Sequence, residues 1–327
     1  MENFKGYMPE FLGDNLVVNF PLLNTEQKRQ IAPISESKNG ELKYTHYSLF
    51  LHKTRWFPFF TATNINGKLF KKIKRKEVFD SGRDEWRIDE RAEGFQWGSH
   101  LYTAKKSDFH KGHMTKREDP QWGSTAEIAK KGARSTFFFS NSVPQVGELN
   151  SREWGSLEMY ILNKEAVPEK ILCSVFTGPV LAADDPVFVT KVDDKEVQIP
   201  THFWKVVYFT NDGENLSKVG FMMGQEDLLT QRKIVKPLRM LKAFASLPEK
   251  DFFIDFEDAA IYQVNLSTIE KLSGIKFPTA KEPYKDKRPV KLILKDIEVA
   301  KGVLESFKGA PEAKQPLRFT YEGIVLS

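Results

Sequence analysis

The stretch of sequence that decides the fold is residues 109–158, FHKGHMTKREDPQWGSTAEIAKKGARSTFFFSNSVPQVGELNSREWGSLE. It begins with a polar loop over 110–123, HKGHMTKREDPQWG, in which a histidine follows a glycine. A short helix is predicted from Thr125, and a buried strand, TFFFSN, from Thr136. Between 150 and about 163, apolar residues recur three and four positions apart, which indicates a second helix. The stretch thus joins a chemically active loop to elements that can hold it in place.

Outward from this stretch, aromatic and β-branched runs predict strands on both sides. They are YTHYSLFLH from Tyr44, FPFFTATNI from Phe57, residues 102–108, ILCSVFTGPV, FWKVVYF, VGFMM, VKLILK and LRFTYEGIVL. Near the end, the capping box STIE at 267–270 predicts the start of a helix that closes at Gly274. Strands and helices in this mixed order predict an α+β fold around an antiparallel or mixed sheet.

The length permits either two domains or one large one. Residues 1–43, with Pro9, Pro21 and Pro33, are interpreted as an extended arm that packs on the core. Residues 44–278 are interpreted as the main domain, and 279–327 as a C-terminal extension of unknown role.

Composition excludes several classes of protein. Of 327 residues, 40% are hydrophobic and 28% charged, which is typical of a folded domain and excludes disorder as the main state. A single cysteine, Cys173, excludes an intramolecular disulfide and a zinc site built from cysteines. No apolar run approaches about 20 residues, and the start lacks a secretory pattern, so we expect a cytoplasmic protein without a membrane partner. The net charge of +5 permits a nucleic-acid partner without establishing one.

The residues between 109 and 158 suit phosphodiester hydrolysis. His113 has a side chain whose ordinary pKa allows it to take a proton from water near neutral pH. Asn150 offers a neutral oxygen to Mg²⁺, which keeps most of its waters and needs few protein ligands. Glu158 lies eight residues further, about 12 Å along a helix and about 80° around it, so it would act through a metal-bound water. Trp154, between them, would fix the helix against the sheet.

Each feature also has an ordinary explanation. A histidine in a polar loop is more often a surface residue, an asparagine at a helix start is by default an N-cap, and Trp154 is most simply a core residue. The basic cluster KLFKKIKRK at 68–76 is either the solvated face of an edge strand or a surface that contacts phosphates.

The ordered motifs resemble the DNA/RNA non-specific endonucleases, the ββα-metal enzymes that include endonuclease G. The matching motifs are HKGH at 110–113, NSVPQ at 141–145, and Asn150 followed by Trp154 and Glu158 with the family's spacing. GYMPEFLG, LFLHKTRWFPFFTATNING, GHMTKREDPQWG, PTHFWKVV and NLSTIEKLSGIKF extend the resemblance over about residues 5–278. It implies a ββα-metal nuclease fold for 44–278, with a central, mainly antiparallel sheet flanked by helices.

The resemblance also implies roles for individual residues. His113 would be the general base, Asn150 the ligand of Mg²⁺ or Mn²⁺, and Glu158 the residue that orients metal-bound water. Asn141 and Lys111 would support the substrate or the transition state.

Two departures from the family pattern occur in the HKGH motif. His110 replaces the family's aspartate, and Lys111 replaces its arginine, so a point charge stands where a planar fork would bind phosphate. His110 is interpreted as a loop-packing or phosphate-side residue and not as the base, because only His113 follows the glycine. Arg91, in the family-like Asp-x-Arg element, is either a phosphate contact or half of a structural ion pair.

The predicted function is therefore a metal-dependent endonuclease without sequence preference that hydrolyses DNA and RNA. The alternative is a nucleic-acid-binding module that keeps the fold with reduced or lost activity, and a third hypothesis is a phosphodiesterase for small nucleotides. The resemblance to the family implies a homodimer. A regulatory partner or activator is a further expectation, because an active nuclease in the cytoplasm needs restraint.

Overall fold

A broad antiparallel sheet forms the centre of the structure. The computed structural model describes residues 4–147, 149, 161–162, 166, 170–236, 258–284, 290–292, 319–320 and 323–324. The strands are β1 (Glu41–Lys43), β2 (Tyr47–Leu51), β3 (Pro58–Asn66), β4 (Phe109–His113), β5 (Ser142–Val146), β6 (Leu172–Pro179), β7 (Val187–Phe188), β8 (His202–Phe209), β9 (Ser217–Gly224), β10 (Val235–Lys236), β11 (Ile261–Val264), β12 (Val290–Leu292), β13 (Phe319–Thr320) and β14 (Gly323–Ile324). The helices are α1 (Thr25–Arg29), α2 (Arg75–Val78), α3 (Ser99–Thr103), α4 (Ala126–Ser135), α5 (Glu226–Gln231) and α6 (Leu266–Ser273).

Eight strands build the central sheet in the order β1-β2-β3-β6-β8-β9-β11-β12. Every neighbouring pair in this order is antiparallel. The prediction of an α+β fold with a mainly antiparallel sheet is confirmed.

The central strands are buried on both faces. Alternation along β8 sends Phe203 into one apolar layer and Trp204 into the other. The same alternation in β9 places Phe221 in the layer of Phe203 and Met222 in the layer of Trp204. Because both faces are covered, these strands appear in the sequence as nearly continuous apolar runs and not as alternating ones.

A separate hairpin, formed by β4 and β5, lies outside the central sheet. Its register pairs Phe109 with Val146, Lys111 with Pro144 and His113 with Ser142. Helical backbone follows β5 at Gly147 and Leu149. Two strands followed by helical backbone are thus the local unit that carries the HKGH motif.

Three sequence predictions around this hairpin were wrong. Residues 102–108 are the end of α3 and a turn, and not a strand. HKGH, predicted as part of a loop, is most of β4, because NSVPQ supplies a partner 30 residues later. The predicted strand TFFFSN contains a 3₁₀ turn at Phe139–Asn141, and the strand begins only at Ser142.

The helix ends test the capping predictions. Thr125 is the N-cap of α4, as expected, and its side chain accepts a hydrogen bond from the backbone N–H of Ile128. In α6 the N-cap is Asn265 and not Ser267, so the predicted capping box was misplaced by two residues. Gly274 ends α6 in the left-handed region at φ 68°, as the sequence predicted.

The N-terminal arm packs on the sheet. Leu12, Val18 and Leu23 are buried in the same apolar layer as Trp204. The backbone N–H of Leu22 donates to the carbonyl of Lys276, which fastens the arm to the chain after α6. Among the described residues, no helix has both the length and the apolar character that a membrane span requires.

Candidate active site

His113 ends β4 and is enclosed by aromatic rings. Its ring centroid lies 4.6 Å from that of Trp86 and 5.0 Å from that of Phe137, which meets it edge-on. Trp86 also contacts Phe139, so the wall around His113 is continuous with the apolar core. A histidine held by rings on two sides has few accessible rotamers, and its imidazole is therefore oriented before any substrate arrives.

The imidazole is also held in its neutral form. Its Nε2 is buried and has no hydrogen-bond partner. Burial, together with the positive charges of Arg75, Arg117 and Lys116, lowers the pKa of His113 to about 3, while the charge of Asp84 opposes them. The free side chain is therefore neutral near pH 7, which is the form a general base needs.

Lys111 lies on the same side of β4 as His113, because residues two apart in a strand share a face. Its Nζ is 6.0 Å from the ring centroid of Trp86 and 5.5 Å from that of Tyr102. These are cation–π distances, so the two rings hold the ammonium beside the histidine. The structure thus brings Lys111 and His113 to one aromatic wall.

His110 lies on the opposite face of the hairpin. It is exposed, and a Cβ added to Gly147 would lie 3.3 Å from its ring. On that face a Cβ at Gly112 would lie 2.1 Å from Oε1 of the buried Gln145. The glycine before His113 is therefore required by close packing against Gln145.

Asn141 is completely buried and its carboxamide is occupied by backbone groups. The oxygen accepts from the N–H of Thr115, and the nitrogen donates to the carbonyls of Thr115 and Thr136, each at 2.9 Å. These bonds tie the chain after His113 to the chain before β5. In this arrangement the carboxamide of Asn141 holds the loop that follows His113, through three hydrogen bonds to backbone groups.

Arg91 forms the structural ion pair that was one of its two interpretations. Its Nε donates to Oδ1 of Asp89 at 3.0 Å and a terminal nitrogen donates to Oδ2 at 2.7 Å. The guanidinium also lies 5.0 Å from the ring centroid of Tyr44, whose hydroxyl donates to Asp89. The ion pair lowers the pKa of Asp89 despite its burial.

The charged groups around His113 were missed in the sequence. Arg75 is paired with Asp84 through Nε, at 3.0 Å to Oδ1, and through a terminal nitrogen. Arg117 donates to the carbonyl of Ile73 and to Glu118. Arg75 and His113 are 38 residues apart in the chain, so no spacing pattern indicates that they are close in the structure. The one indication in the sequence was Trp86, which lies three residues before the Asp-x-Arg element that begins at Asp89.

Three residues of the predicted constellation, Asn150, Trp154 and Glu158, lie outside the described residues. Within the described part of the chain, no three His, Cys, Asp or Glu side chains cluster as metal ligands. An Mg²⁺ ion that keeps most of its waters does not require such a cluster. The neutral His113, with its unpartnered nitrogen, is compatible with a metal held nearby by one neutral oxygen.

Comparison with known proteins places this geometry in a family. Residues 27–283 match the family model described as DNA/RNA non-specific endonuclease. The uncharacterized protein y4fB of Sinorhizobium fredii is 31% identical over 234 residues, which are 68% of this chain and 33% of that protein. Mitochondrial endonuclease G of Bos taurus is 28% identical over 123 residues, 36% of this chain and 38% of that protein.

Two further matches are more distant or partial. Mitochondrial nuclease EXOG of Xenopus laevis is 28% identical over 175 residues, 52% of this chain and 41% of that protein. A crystal structure of the EndoG/EndoGI complex aligns with a TM-score of 0.49 at 20% identity, covering 72% of this chain and 84% of that one. The matched segments make up only 33–39% of the length of the first curated relatives. Since the family model spans most of the chain, the protein belongs to the DNA/RNA non-specific endonuclease family.

Proposed function

We propose that this protein is a metal-dependent endonuclease that hydrolyses phosphodiester bonds of DNA and RNA without sequence preference. The observation that carries the proposal is His113, a neutral histidine with an unpartnered buried nitrogen, held at an aromatic wall beside Lys111. Family membership supports nucleic acid as the substrate. Residues 44–278 would form the nuclease domain, with 1–43 as its arm and 279–327 as an extension, and each of these two segments adds one edge strand, β1 and β12, to the central sheet.

In the proposed reaction His113 accepts a proton from the water that attacks phosphorus, and the bond from phosphorus to the 3′ oxygen breaks, which leaves a 5′ phosphate and a 3′ hydroxyl. An approaching phosphate is an anion and favours the imidazolium, so it raises the pKa of His113 from its low value as the proton arrives. Lys111 offsets the charge that builds on the phosphate oxygens. Asn141 acts at a distance, by fixing the backbone on both sides of the site.

The metal would be held by Asn150, with Glu158 acting through water, and Mn²⁺ could replace Mg²⁺. When bound, the cation would neutralise charge on the phosphate and on the leaving oxygen. Arg91, engaged with Asp89, would contribute to the architecture of the site and not to phosphate binding.

A plasmid-nicking assay tests the proposal. We expect nicking with Mg²⁺ or Mn²⁺, and loss of nicking in excess EDTA and in Asn150→Ala, which removes the proposed ligand. Full activity in excess EDTA would contradict the metal requirement.

The alternative is a binding module that has lost activity. It predicts retention of DNA by a filter or gel assay with no nicking under any metal condition. A bound plasmid that stays supercoiled would favour this alternative, whereas nicking abolished by His113→Ala would exclude it. We further propose a homodimer and a regulatory partner, which sedimentation of the pure protein and capture with the His113→Ala variant would test.

A further inference from the structure

The basic segment at 68–76, named here the lysine strip, lies beside the proposed active site. It consists of Lys68, Lys71, Lys72, Lys74, Arg75 and Lys76 with three apolar residues between them. The sequence allowed it to be a solvated edge strand, and that interpretation is wrong. Residues 71–74 have no regular secondary structure, and α2 begins at Arg75. No sheet edge needs protection here, so the charge density requires another explanation.

Backbone and side-chain bonds fix the strip to the loop that follows His113. Phe70 forms an isolated bridge with Trp122, and the N–H of Lys71 donates to the carbonyl of Gln121 at 3.1 Å. The side chain of Gln121 returns a bond to the carbonyl of Lys71 at 2.5 Å. Arg117 donates to the carbonyl of Ile73 at 3.2 Å. The lysine strip is therefore held against the loop by several hydrogen bonds and follows a defined path along it.

One end of the strip reaches the pocket of His113. Arg75 is bound to Asp84, which is two residues from Trp86, and Trp86 packs on His113. The charge of Arg75 is accordingly the strongest of the charges that lower the pKa of His113. The positive surface thus begins at the proposed catalytic residue and continues outward.

The lysines of the strip are available for an external partner. Lys68, Lys72, Lys74 and Lys76 are exposed and Lys71 is half-buried. Among the residues that the structure describes, the lysine strip forms one ion pair, between Arg75 and Asp84. Five ammonium groups therefore lie along one course, and no carboxylate of a described residue is within ion-pair distance of them.

We propose that the lysine strip binds the phosphate backbone of the nucleic-acid strand that extends away from the cleavage site. This inference rests on the proposed function, which makes nucleic acid the substrate. Lysines present point charges to phosphates and read no bases, so the strip adds affinity without sequence preference. It also favours long substrates over short ones, because only a longer strand carries the additional phosphates that several lysines would contact.

The test compares two variants that lose the same charge. Lys68→Gln/Lys71→Gln/Lys72→Gln alters the strip, and Lys28→Gln/Lys191→Gln/Lys233→Gln removes three exposed lysines elsewhere. Binding of a fluorescent single-stranded oligonucleotide is measured by anisotropy in EDTA, so that turnover is not required. We expect the strip variant to bind at least about tenfold more weakly and its slope of log affinity against log salt to fall by about 2. The control should keep both values.

Equal losses in the two variants would indicate a general charge effect and overturn the inference, as would normal binding by the strip variant. Thermal melting checks whether the variants fold. If the triple variant melts at a lower temperature than the wild type, single substitutions at the exposed Lys72 replace it: Lys72→Gln removes one charge and should weaken binding, and Lys72→Glu reverses the charge and should weaken binding more. The proposed function is tested separately, by wild-type cleavage. Cleavage by the wild type with normal binding by the strip variant refutes the strip alone, and tight binding by the wild type without cleavage refutes the nuclease alone.

Discussion

At the scale of single residues, His113 and His110 are distinguished by the face of β4 on which each lies. His113 points to the aromatic wall, while His110 is exposed on the other side next to Gly147. We expect His113→Ala to lower turnover by roughly two to four orders of magnitude, the contribution of general acid–base catalysis, with DNA binding close to normal. His110→Ala is the matched control and should change turnover little. A large loss in His110→Ala with a nearly silent His113→Ala would reverse the assignment.

Trp86 is a positioning residue whose removal should change both turnover and pH dependence. It covers one side of the His113 ring, and burial is the largest cause of the low pKa of that histidine. In Trp86→Ala, water reaches the imidazole, so its pKa should rise from about 3 towards its ordinary 6.5. The loosened ring should also lower kcat by about tenfold to a hundredfold.

The pH profile of kcat/KM on a small phosphodiester measures this effect, because it reports the free enzyme. Wild-type protein should show its acid limb below about pH 4, and Trp86→Ala should show it one or more units higher. Trp86→Phe keeps a ring against His113 and should resemble the wild type. An unchanged limb in Trp86→Ala would show that the tryptophan does not control the histidine.

At the scale of elements, the β4–β5 hairpin depends on a glycine and a glutamine that occupy the same space. The side chain of Gln145 is completely buried, and an added Cβ at Gly112 would lie 2.1 Å from its Oε1. Gly112→Ala must therefore displace a side chain that has no solvent to move into. We expect a loss of about 1–3 kcal/mol in the free energy of unfolding, the usual result of overpacking.

A double-mutant cycle checks the cause of that loss. Gln145→Ala removes the obstructing atoms, so Gly112→Ala should cost less in that background, and urea denaturation of the four proteins gives the coupling. Additive effects would show that the glycine serves another purpose, such as backbone freedom.

At the scale of the whole molecule, one buried and three half-buried histidines should make the protein sensitive to acid. Burial lowers the pKa of all four. They are His46, His52 and His202, each to about 4, and His113, to about 3. The unfolded chain binds protons at these sites near pH 6.5 and the folded chain does not. Their contribution to stability is therefore full above pH 6.5 and is lost as the pH falls towards 4.

Two carboxyls oppose the histidines. Burial raises the pKa of Asp185 to about 7 and that of Asp258 to about 6, so the folded protein holds two protons that the unfolded chain releases above pH 3.8, and the stability from these groups falls as the pH rises from there towards 7. Four histidines outweigh two carboxyls, and Tm should fall between pH 6.5 and pH 4. Calorimetry at several pH values measures Tm. His46→Gln removes one of the four histidines whose pKa is lowered, so Tm should depend less steeply on pH in this variant. A Tm that is constant or rises over this range would contradict the prediction.

The sequence by itself determined the parts of the protein that depend on local pattern. Continuous apolar runs identified β6, β8 and β9, Thr125 identified the start of α4, and the ordered motifs indicated the family. Each of these rests on neighbouring residues, whose side-chain types limit the local backbone directly. Even the choice of His113 over His110 followed from the glycine between them.

Only the tertiary structure decided the strand character of HKGH, the surroundings of His113 and the contacts of Asn141. A polar strand is stable only through its partner, and NSVPQ lies 30 residues away, so no local pattern reveals the pairing. Asn141 is bonded to Thr115, 26 residues away, which no local pattern reveals, whereas Arg91 pairs with Asp89, two residues away, which was one of the two interpretations that the sequence allowed. The same long-range packing placed Trp86 on His113 and the lysine strip beside it. The order of residues determines the local chemistry. Folding brings distant residues together, and those contacts determine which charged side chains remain available for a substrate.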